Sequence, residues 1–136
     1  MTQAETADPQ LRIVYKEFPI LGPDSLLAAK AALAANEQGK YIPFHRALYE
    51  ARGHVNESTV MEVAKKVGLD LARLKADMQA PEIGNHLEQN VSLAQSLGIN
   101  GTPGWVIGDH VFTGATDLKS LQTTIAAARK SPSATR

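Results

Sequence analysis

The nine residues GTPGWVIGD, Gly101 to Asp109, carry the signals that decide the fold of this chain. The Thr-Pro step at their start marks a turn. Two short runs rich in β-branched and aromatic residues follow, Trp105–Ile107 and His110–Phe112, and the pair Gly108-Asp109 separates them. A Gly-Asp pair between two such runs predicts a β-hairpin with a type II′ or type I′ turn.

Composition places the chain among ordinary globular domains and excludes several functions. Its 136 residues suffice for one domain with a substantial core. The 14 basic and 14 acidic residues balance, so we expect no nucleic-acid partner and no attraction to an anionic membrane. Ala31–Ala35 is the longest uncharged apolar stretch, far below the roughly 20 residues of a membrane span. The chain contains no cysteine, which excludes disulfides, thiolate metal sites and cysteine nucleophiles within it.

Upstream of the hairpin the pattern predicts one strand and a block of helices. Leu11–Phe18 is rich in β-branched and aromatic residues and ends at Pro19, which predicts a strand. Capping residues and helical spacing predict helices from Asp24 or Ser25 to about Gln38, at Pro43–Ala51, from Asn56 to Gly68, at Leu71–Gln79 after Asp70, from Pro81 to Leu97-Gly98, and from Thr116 or Asp117 to about Arg129. The order strand, helices, hairpin, helix is typical of a mixed fold with a helical insertion.

These segments together resemble the DsbA-like branch of the thioredoxin superfamily. The matching pieces are Arg12–Gly22, Phe44-His45, Gly68–Asp70, Leu97–Ile99 running into Gly101–Pro103, and the hairpin with its final helix. The resemblance implies an α/β fold: an incomplete thioredoxin-like fold with a helical insertion. It also implies an N-terminal remnant at 1–10 that is flexible or helical, a thioredoxin-fold domain at 11–130 with the insertion at about 40–98, and a tail at 131–136.

The resemblance also implies where a ligand binds. In that family the Thr-Pro bond is cis, and the main chain beside it pairs with an extended substrate peptide by strand addition. Carried over, the peptide-binding residues are Gly101, Thr102 and Pro103. The expected partner is an extended peptide or a protein client at this loop. The simpler alternative is that the turn only starts the hairpin.

The departure from the family pattern is large. Family members begin with a strand and a Cys-x-x-Cys helix, whose first thiolate attacks the client disulfide. This chain has neither, so the first strand and the dithiol helix are missing from the expected fold. In the thioredoxin arrangement the lost strand lies between Leu11–Phe18 and Trp105–Ile107. Its loss leaves unpaired inner edges, which predicts a homodimer or strand exchange between chains.

Other chemistry-bearing residues do not form a second predicted site. The four histidines are His45, His54, His86 and His110. They lack metal-ligand spacing, so we expect no metal. The chain has no cysteine and no other catalytic constellation, so we expect no catalytic residue and no cofactor. His45 is expected to pack, Glu50 and His54 to lie on the surface, and Lys16 and Glu17 to sit at a hydrated strand end.

Two hypotheses about function remain open. In the first, the chain is a truncated member of the DsbA-like family and carries out no disulfide exchange. In the second, it is a non-catalytic, thioredoxin-like module that binds peptides or forms homo-oligomers. The N-terminus lacks the features of a secretory signal, so the location is cytoplasmic for the chain as written. It is periplasmic if a longer native form exists with a Cys-x-x-Cys motif, since disulfides persist in that compartment.

Overall fold

The computed structural model describes residues 2–131 as seven helices and one two-stranded sheet. The elements in chain order are α1 Thr2–Ala7, α2 Pro23–Glu37, α3 Tyr41–Glu50, α4 Glu57–Lys66, α5 Leu71–Met78, α6 Pro81–Ser96, β1 Gly104–Ile107, β2 His110–Thr113 and α7 Leu118–Lys130. Among the described residues, no helix combines the length and the hydropathy that crossing a membrane requires. Apart from Ser131, the predicted tail lies outside the described residues.

Local signals explain where most of the helices begin. The side chain of Asn56 accepts a hydrogen bond from the Thr59 amide, and that of Asp70 accepts one from the Arg73 amide. Asp117, rather than Thr116, caps α7. Each of these caps satisfies an amide that has no partner within its helix.

The predicted cap of α2 is wrong. Its N-cap is Gly22, which makes no side-chain hydrogen bond, and the helix begins at Pro23. Proline suits the first helical position because its fixed φ is helical and it lacks an amide that would need a partner. Asp24 and Ser25 therefore lie inside the helix.

The predicted strand at Leu11–Phe18 is also wrong. The segment has no strand assignment, and the sheet in the described part of the chain contains β1 and β2 alone. A β-strand is defined by its ladder of hydrogen bonds to a neighbour. Strand-forming residue types without a neighbouring strand therefore remain outside any sheet.

The chain divides into two compact units, and Glu17–Ser92 forms one of them. Its core is centred on α2, which contacts α3, α4 and α5. The alanines that α2 buries are Ala29, Ala31, Ala32, Ala34 and Ala35. Their small side chains allow the neighbouring helices to pack closely around it. Phe44, Val60 and Leu74 are the largest fully buried side chains in this core.

The other unit contains the described residues up to Lys16 and from Leu93 onwards. Helix α1 contacts α7, where the Arg129 guanidinium donates to the Asp8 carboxylate at 2.7 Å. This hydrogen bond is the main reason that the pKa of Asp8 is lowered. The β-hairpin also belongs to this unit, and β1 contacts α7.

Candidate functional site

The end of α6 leads the chain into the loop that the sequence singled out. The Ile99 amide donates to the Ala94 carbonyl at 2.8 Å, and the Gly98 amide donates to Gln95. Gly98 has a φ of 71°. Together these bonds form a Schellman motif, which ends a helix and satisfies its last carbonyls. The course of the chain up to the loop is therefore set by local hydrogen bonds.

The three predicted peptide-binding residues lie at the surface, next to the sheet. Gly101 is half-buried, whereas Thr102 and Pro103 are exposed. The Thr102–Pro103 peptide bond is cis. The Pro103 carbonyl accepts a hydrogen bond from the Gly114 amide at 2.8 Å. The loop is therefore fastened to the residue that follows β2.

One edge of β1 carries main-chain groups directed away from β2. The strands are antiparallel, with Gly104 opposite Thr113 and Val106 opposite Val111. In such a ladder, hydrogen-bonded pairs alternate with non-hydrogen-bonded pairs. Because the Gly114 amide donates to the Pro103 carbonyl, these two residues form a hydrogen-bonded pair. The pairs Gly104–Thr113 and Val106–Val111 are therefore non-hydrogen-bonded. It follows that the amides and carbonyls of Gly104 and Val106 point to the outer edge.

The side chains of the hairpin divide between its two faces. Trp105 stacks with Phe112, their ring centroids 6.2 Å apart, and its indole N–H donates to the Gly114 carbonyl. On the opposite face, Val106 is 54% exposed and Val111 is 40% exposed. The aromatic pair thus packs on one face of the hairpin, and the two valines are exposed on the other.

Gly104 allows the chain to pass close to the end of α6. A Cβ built at Gly104 would lie 2.6 Å from Cγ2 of Ile99. No side chain fits in this position unless Ile99 moves. The contact ties the start of β1 to the segment before the loop.

A second polar cluster, in the Glu17–Ser92 unit, was not predicted from the sequence. The Glu17 side chain is 19% exposed, and its Oε1 accepts a hydrogen bond from the Tyr41 hydroxyl. The His45 ring stacks on Tyr41 and lies against Tyr49. The expectation that Glu17 sits at a hydrated strand end is therefore wrong. The spacing of Tyr41, His45 and Tyr49 along one face of α3 was the signal that could have revealed the cluster.

The cluster borders a shallow cavity of about 130 Å³ with an alanine-rich floor from α2. His45 Nδ1 lies 3.9 Å from Glu17 Oε1. Burial lowers the pKa of His45, the charge of Glu17 opposes that shift, and Arg46 adds to it. His45 is consequently neutral at pH 7, and the Tyr41 hydroxyl donates a hydrogen bond to the Glu17 carboxylate beside it.

The remaining histidines and carboxylates form no metal site within residues 2–131, where no group of three or more ligand residues converges. His54 contacts Asp24 of α2, with 2.7 Å between Nε2 and Oδ2, rather than Glu50. The His54 side chain is largely exposed, and that of Asp24 is half-buried. The pair therefore joins α2 to the loop between α3 and α4.

The fold, with its Thr-Pro loop before a hairpin and its helical insertion, defines the class of thioredoxin-like proteins. The family model for the DSBA-like thioredoxin domain matches residues 1–126. The chain therefore belongs to the DsbA-like thioredoxin-domain family.

Two solved structures show how closely the fold is shared. A thioredoxin-like oxidoreductase from Silicibacter pomeroyi DSS-3 is 47% identical with a TM-score of 0.93, over 95% of this chain and 75% of that one. The thiol-disulfide exchange protein alpha-DsbA2 from Wolbachia pipientis is 33% identical with a TM-score of 0.77, over 84% of this chain and 63% of that one.

A similar domain also occurs in much longer proteins. The Na(+)/H(+) antiporter NhaA of Herminiimonas arsenicoxydans is 25% identical to this chain over 120 residues. The match covers 88% of this chain but 19% of the antiporter. The chain thus spans about a fifth of the length of this curated relative.

Proposed function

We propose that this chain is a peptide-binding domain of the DsbA-like family that does not itself exchange disulfides. An extended peptide binds along the outer edge of β1 and reaches the loop Gly101–Pro103. The observation that carries the proposal is the outward direction of the Gly104 and Val106 main-chain groups, next to an exposed loop. Strand addition uses such groups for affinity, and the side chains beside them for selectivity.

The redox part of the proposal rests on composition. Disulfide exchange requires a thiolate that attacks a disulfide sulfur, and these 136 residues contain no cysteine. Catalytic amounts of the purified chain should leave the rate of insulin reduction by dithiothreitol at its uncatalysed value. A rate above that background, with contaminating thioredoxins removed, would overturn the proposal that the chain is redox-inactive.

Peptide binding is tested with a fluorescein-labelled peptide of alternating valine and threonine, measured by fluorescence anisotropy. Val106→Pro removes an amide that points outward, while the ladder to β2 keeps its hydrogen bonds. We expect binding to weaken about tenfold, because a hydrogen bond of about 1 kcal/mol is lost and the ring obstructs the edge.

Val111→Pro is the matched control. Val111 lies opposite Val106 in the same non-hydrogen-bonded pair, so the substitution removes an amide from the far edge of β2. This variant should bind the peptide as the wild type does. Equal losses in the two variants, or no binding by the wild type, would refute strand addition at β1.

A homodimer or strand exchange is the second candidate, because an exposed strand edge also serves as a template for another copy. Sedimentation equilibrium over micromolar concentrations tests it. A monomer at all concentrations would exclude self-association, and a dimer dissociated by Val106→Pro would establish it at this edge.

Peptide binding, redox inactivity and self-association are proposed for these 136 residues alone. Truncation, and a cytoplasmic or periplasmic location, remain predictions from the sequence. The intact mass of the protein isolated from its source cells tests truncation. A mass well above 14.6 kDa would place these residues in a longer polypeptide.

A further inference from the structure

The cavity beside the polar cluster is built within the Glu17–Ser92 unit. Its lining comes from the segment Glu17–Pro19, from α2 and from α3. Helix α2 contributes a row of alanines, of which Ala29 and Ala32 are buried. The shape of the cavity is therefore set by the packing of two helices inside one compact unit.

The size of the cavity limits what it can hold. Its volume is about 130 Å³, and a cavity of about 150 Å³ in a protein core holds benzene. A ligand of about five heavy atoms, such as an n-butyl chain with one polar atom, therefore matches the space. The alanine methyl groups of α2 offer the methylene groups of such a chain an apolar surface.

Two hydrogen bonds hold Glu17 in place at the cavity. The side-chain amide of Asn90, a residue that is 5% exposed, donates to the Glu17 carbonyl at 3.0 Å. The Tyr41 hydroxyl donates to the Glu17 carboxylate. Because the carboxylate is held at both its main chain and its side chain, a ligand that binds it has less conformational entropy to remove.

The electrostatics of the cavity wall favour a cationic ligand. Burial is the largest cause of the lowered pKa of His45, and of the two charges near the ring Glu17 has a larger effect on this pKa than Arg46. Negative charge therefore dominates at this wall. The Tyr49 ring, 82% exposed, stands at the rim of the cavity, and the face of such a ring attracts an ammonium group.

We propose that this cavity binds the ammonium end of a linear alkylamine, which is either a lysine side chain of another polypeptide or a free amine. The Glu17 carboxylate accepts a hydrogen bond from the ammonium group. The methylene groups lie against the alanines of α2, and the Tyr49 ring covers the ligand from the solvent side. The residues differ from those proposed for peptide binding at β1, and neither proposal requires the other.

The first test titrates the ¹⁵N-labelled protein with n-butylammonium chloride or with n-butanol, at constant ionic strength. The alcohol has the same number of heavy atoms but no charge. Saturable amide shifts at Ala29, His45 and Tyr49 should appear with millimolar affinity for the amine, as is usual for so small a ligand. The alcohol should bind about tenfold more weakly, because a hydrogen bond between two charged groups is lost. Equal affinities, or shifts confined to other residues, would overturn the proposal.

Glu17→Gln removes the charge of the carboxylate and keeps an oxygen that accepts the Tyr41 hydrogen bond. It should weaken n-butylammonium binding about tenfold and leave n-butanol binding unchanged, a result that loss of structure does not produce. Glu50→Gln is the matched control, because it removes the same charge from an exposed residue at the end of α3. Equal losses in the two variants would reduce the effect to net charge and refute the site.

Ser25→Leu tests the cavity itself without changing a charge. Ser25 is half-buried on α2 and lines the cavity, so a larger apolar side chain there should exclude both n-butylammonium and n-butanol. A dispersed amide spectrum establishes that the variant is folded. A folded variant that binds n-butylammonium as the wild type does would place the ligand elsewhere and overturn the assignment.

Two blocked peptides distinguish the sources of the amine. Each has a central residue flanked by glycines, lysine in one and the uncharged norleucine in the other. Shifts of the same amides by the lysine peptide would identify the ligand as a lysine side chain. Binding of n-butylammonium without binding of the lysine peptide would identify it as a free amine. Equal binding of the two peptides would contradict a role for the charge and overturn the proposal.

Discussion

Gly108, the first residue of the hairpin turn, fixes how the hairpin meets α7. Its φ is 58°, and a Cβ added there would lie 2.9 Å from the Cβ of Ala128. We therefore expect Gly108→Ala to destabilise the protein for two separate reasons. The left-handed backbone costs an L-residue about 1–2 kcal/mol, and the collision with a helix side chain adds about 1–3 kcal/mol.

The sum is about 2–5 kcal/mol, which lowers Tm by about 5–15 °C in a domain of this size. Ala128 cannot rotate away from the new methyl group, because its own Cβ is attached directly to the backbone of α7. Thermal unfolding followed by circular dichroism measures the loss. Amide hydrogen exchange in β1 and β2 shows whether the hairpin opens first.

Gly98→Ala and a double-mutant cycle separate the two contributions. Gly98 has a φ of 71°, but a Cβ there would meet nothing within 4 Å. Gly98→Ala should therefore lower the free energy of unfolding only by the cost of left-handed backbone for an L-residue, about 1–2 kcal/mol. In the Gly108→Ala background, Ala128→Gly should recover part of the loss, although glycine within a helix itself costs about 1 kcal/mol. Equal effects of Gly108→Ala and Gly98→Ala, with no recovery in the double variant, would refute the contact argument.

Two further predictions concern the Glu17–Ser92 unit. The pKa of His45 in the folded protein lies below 6.5, mainly because of burial. The unfolded chain therefore binds a proton at this histidine more readily than the folded protein does. The contribution of His45 to the free energy of unfolding is full above pH 6.5 and is lost as the pH falls through the folded pKa. His45→Phe should remove this acid sensitivity in urea unfolding measured between pH 7.5 and 5, and an unchanged pH profile would contradict the assignment. Lys40 Nζ donates to the carbonyls of Val67 and Gly68, at 3.0 and 2.9 Å. Lys40→Met should cost about 1–2 kcal/mol, whereas the exposed Lys119→Met should change stability by less than about 0.5 kcal/mol in the same assay.

Features that depend on a few neighbouring residues could be predicted from the sequence. The caps at Asn56 and Asp70, and the helix ending at Gly98, each depend on hydrogen bonds that span three to five residues. The hairpin at Gly108-Asp109 is equally local. The sequence left its turn type open. Positive φ is confined to glycines in the described residues, so Asp109 has a negative φ, and a type II′ turn is selected.

Family membership could also be inferred from the sequence, because it depends on the order and spacing of motifs along the whole chain. The match of the DSBA-like thioredoxin domain to residues 1–126 confirms it. The exposed positions of Thr102 and Pro103 could be anticipated only through that resemblance. Nothing in the composition of the loop distinguishes a peptide-binding turn from one that merely starts a strand.

What the sequence by itself determined were the helix boundaries set by capping residues, the hairpin and the absence of a thiol. The tertiary structure alone decided two other features. Leu11–Lys16 has strand-forming residues and alternating exposure but belongs to no sheet, because a ladder requires a neighbour that local sequence cannot supply. Glu17 is shielded rather than hydrated because the Tyr41 hydroxyl, 24 residues further along the chain, reaches its carboxylate. Both outcomes depend on which distant groups the fold brings together, and local propensity carries no information about them.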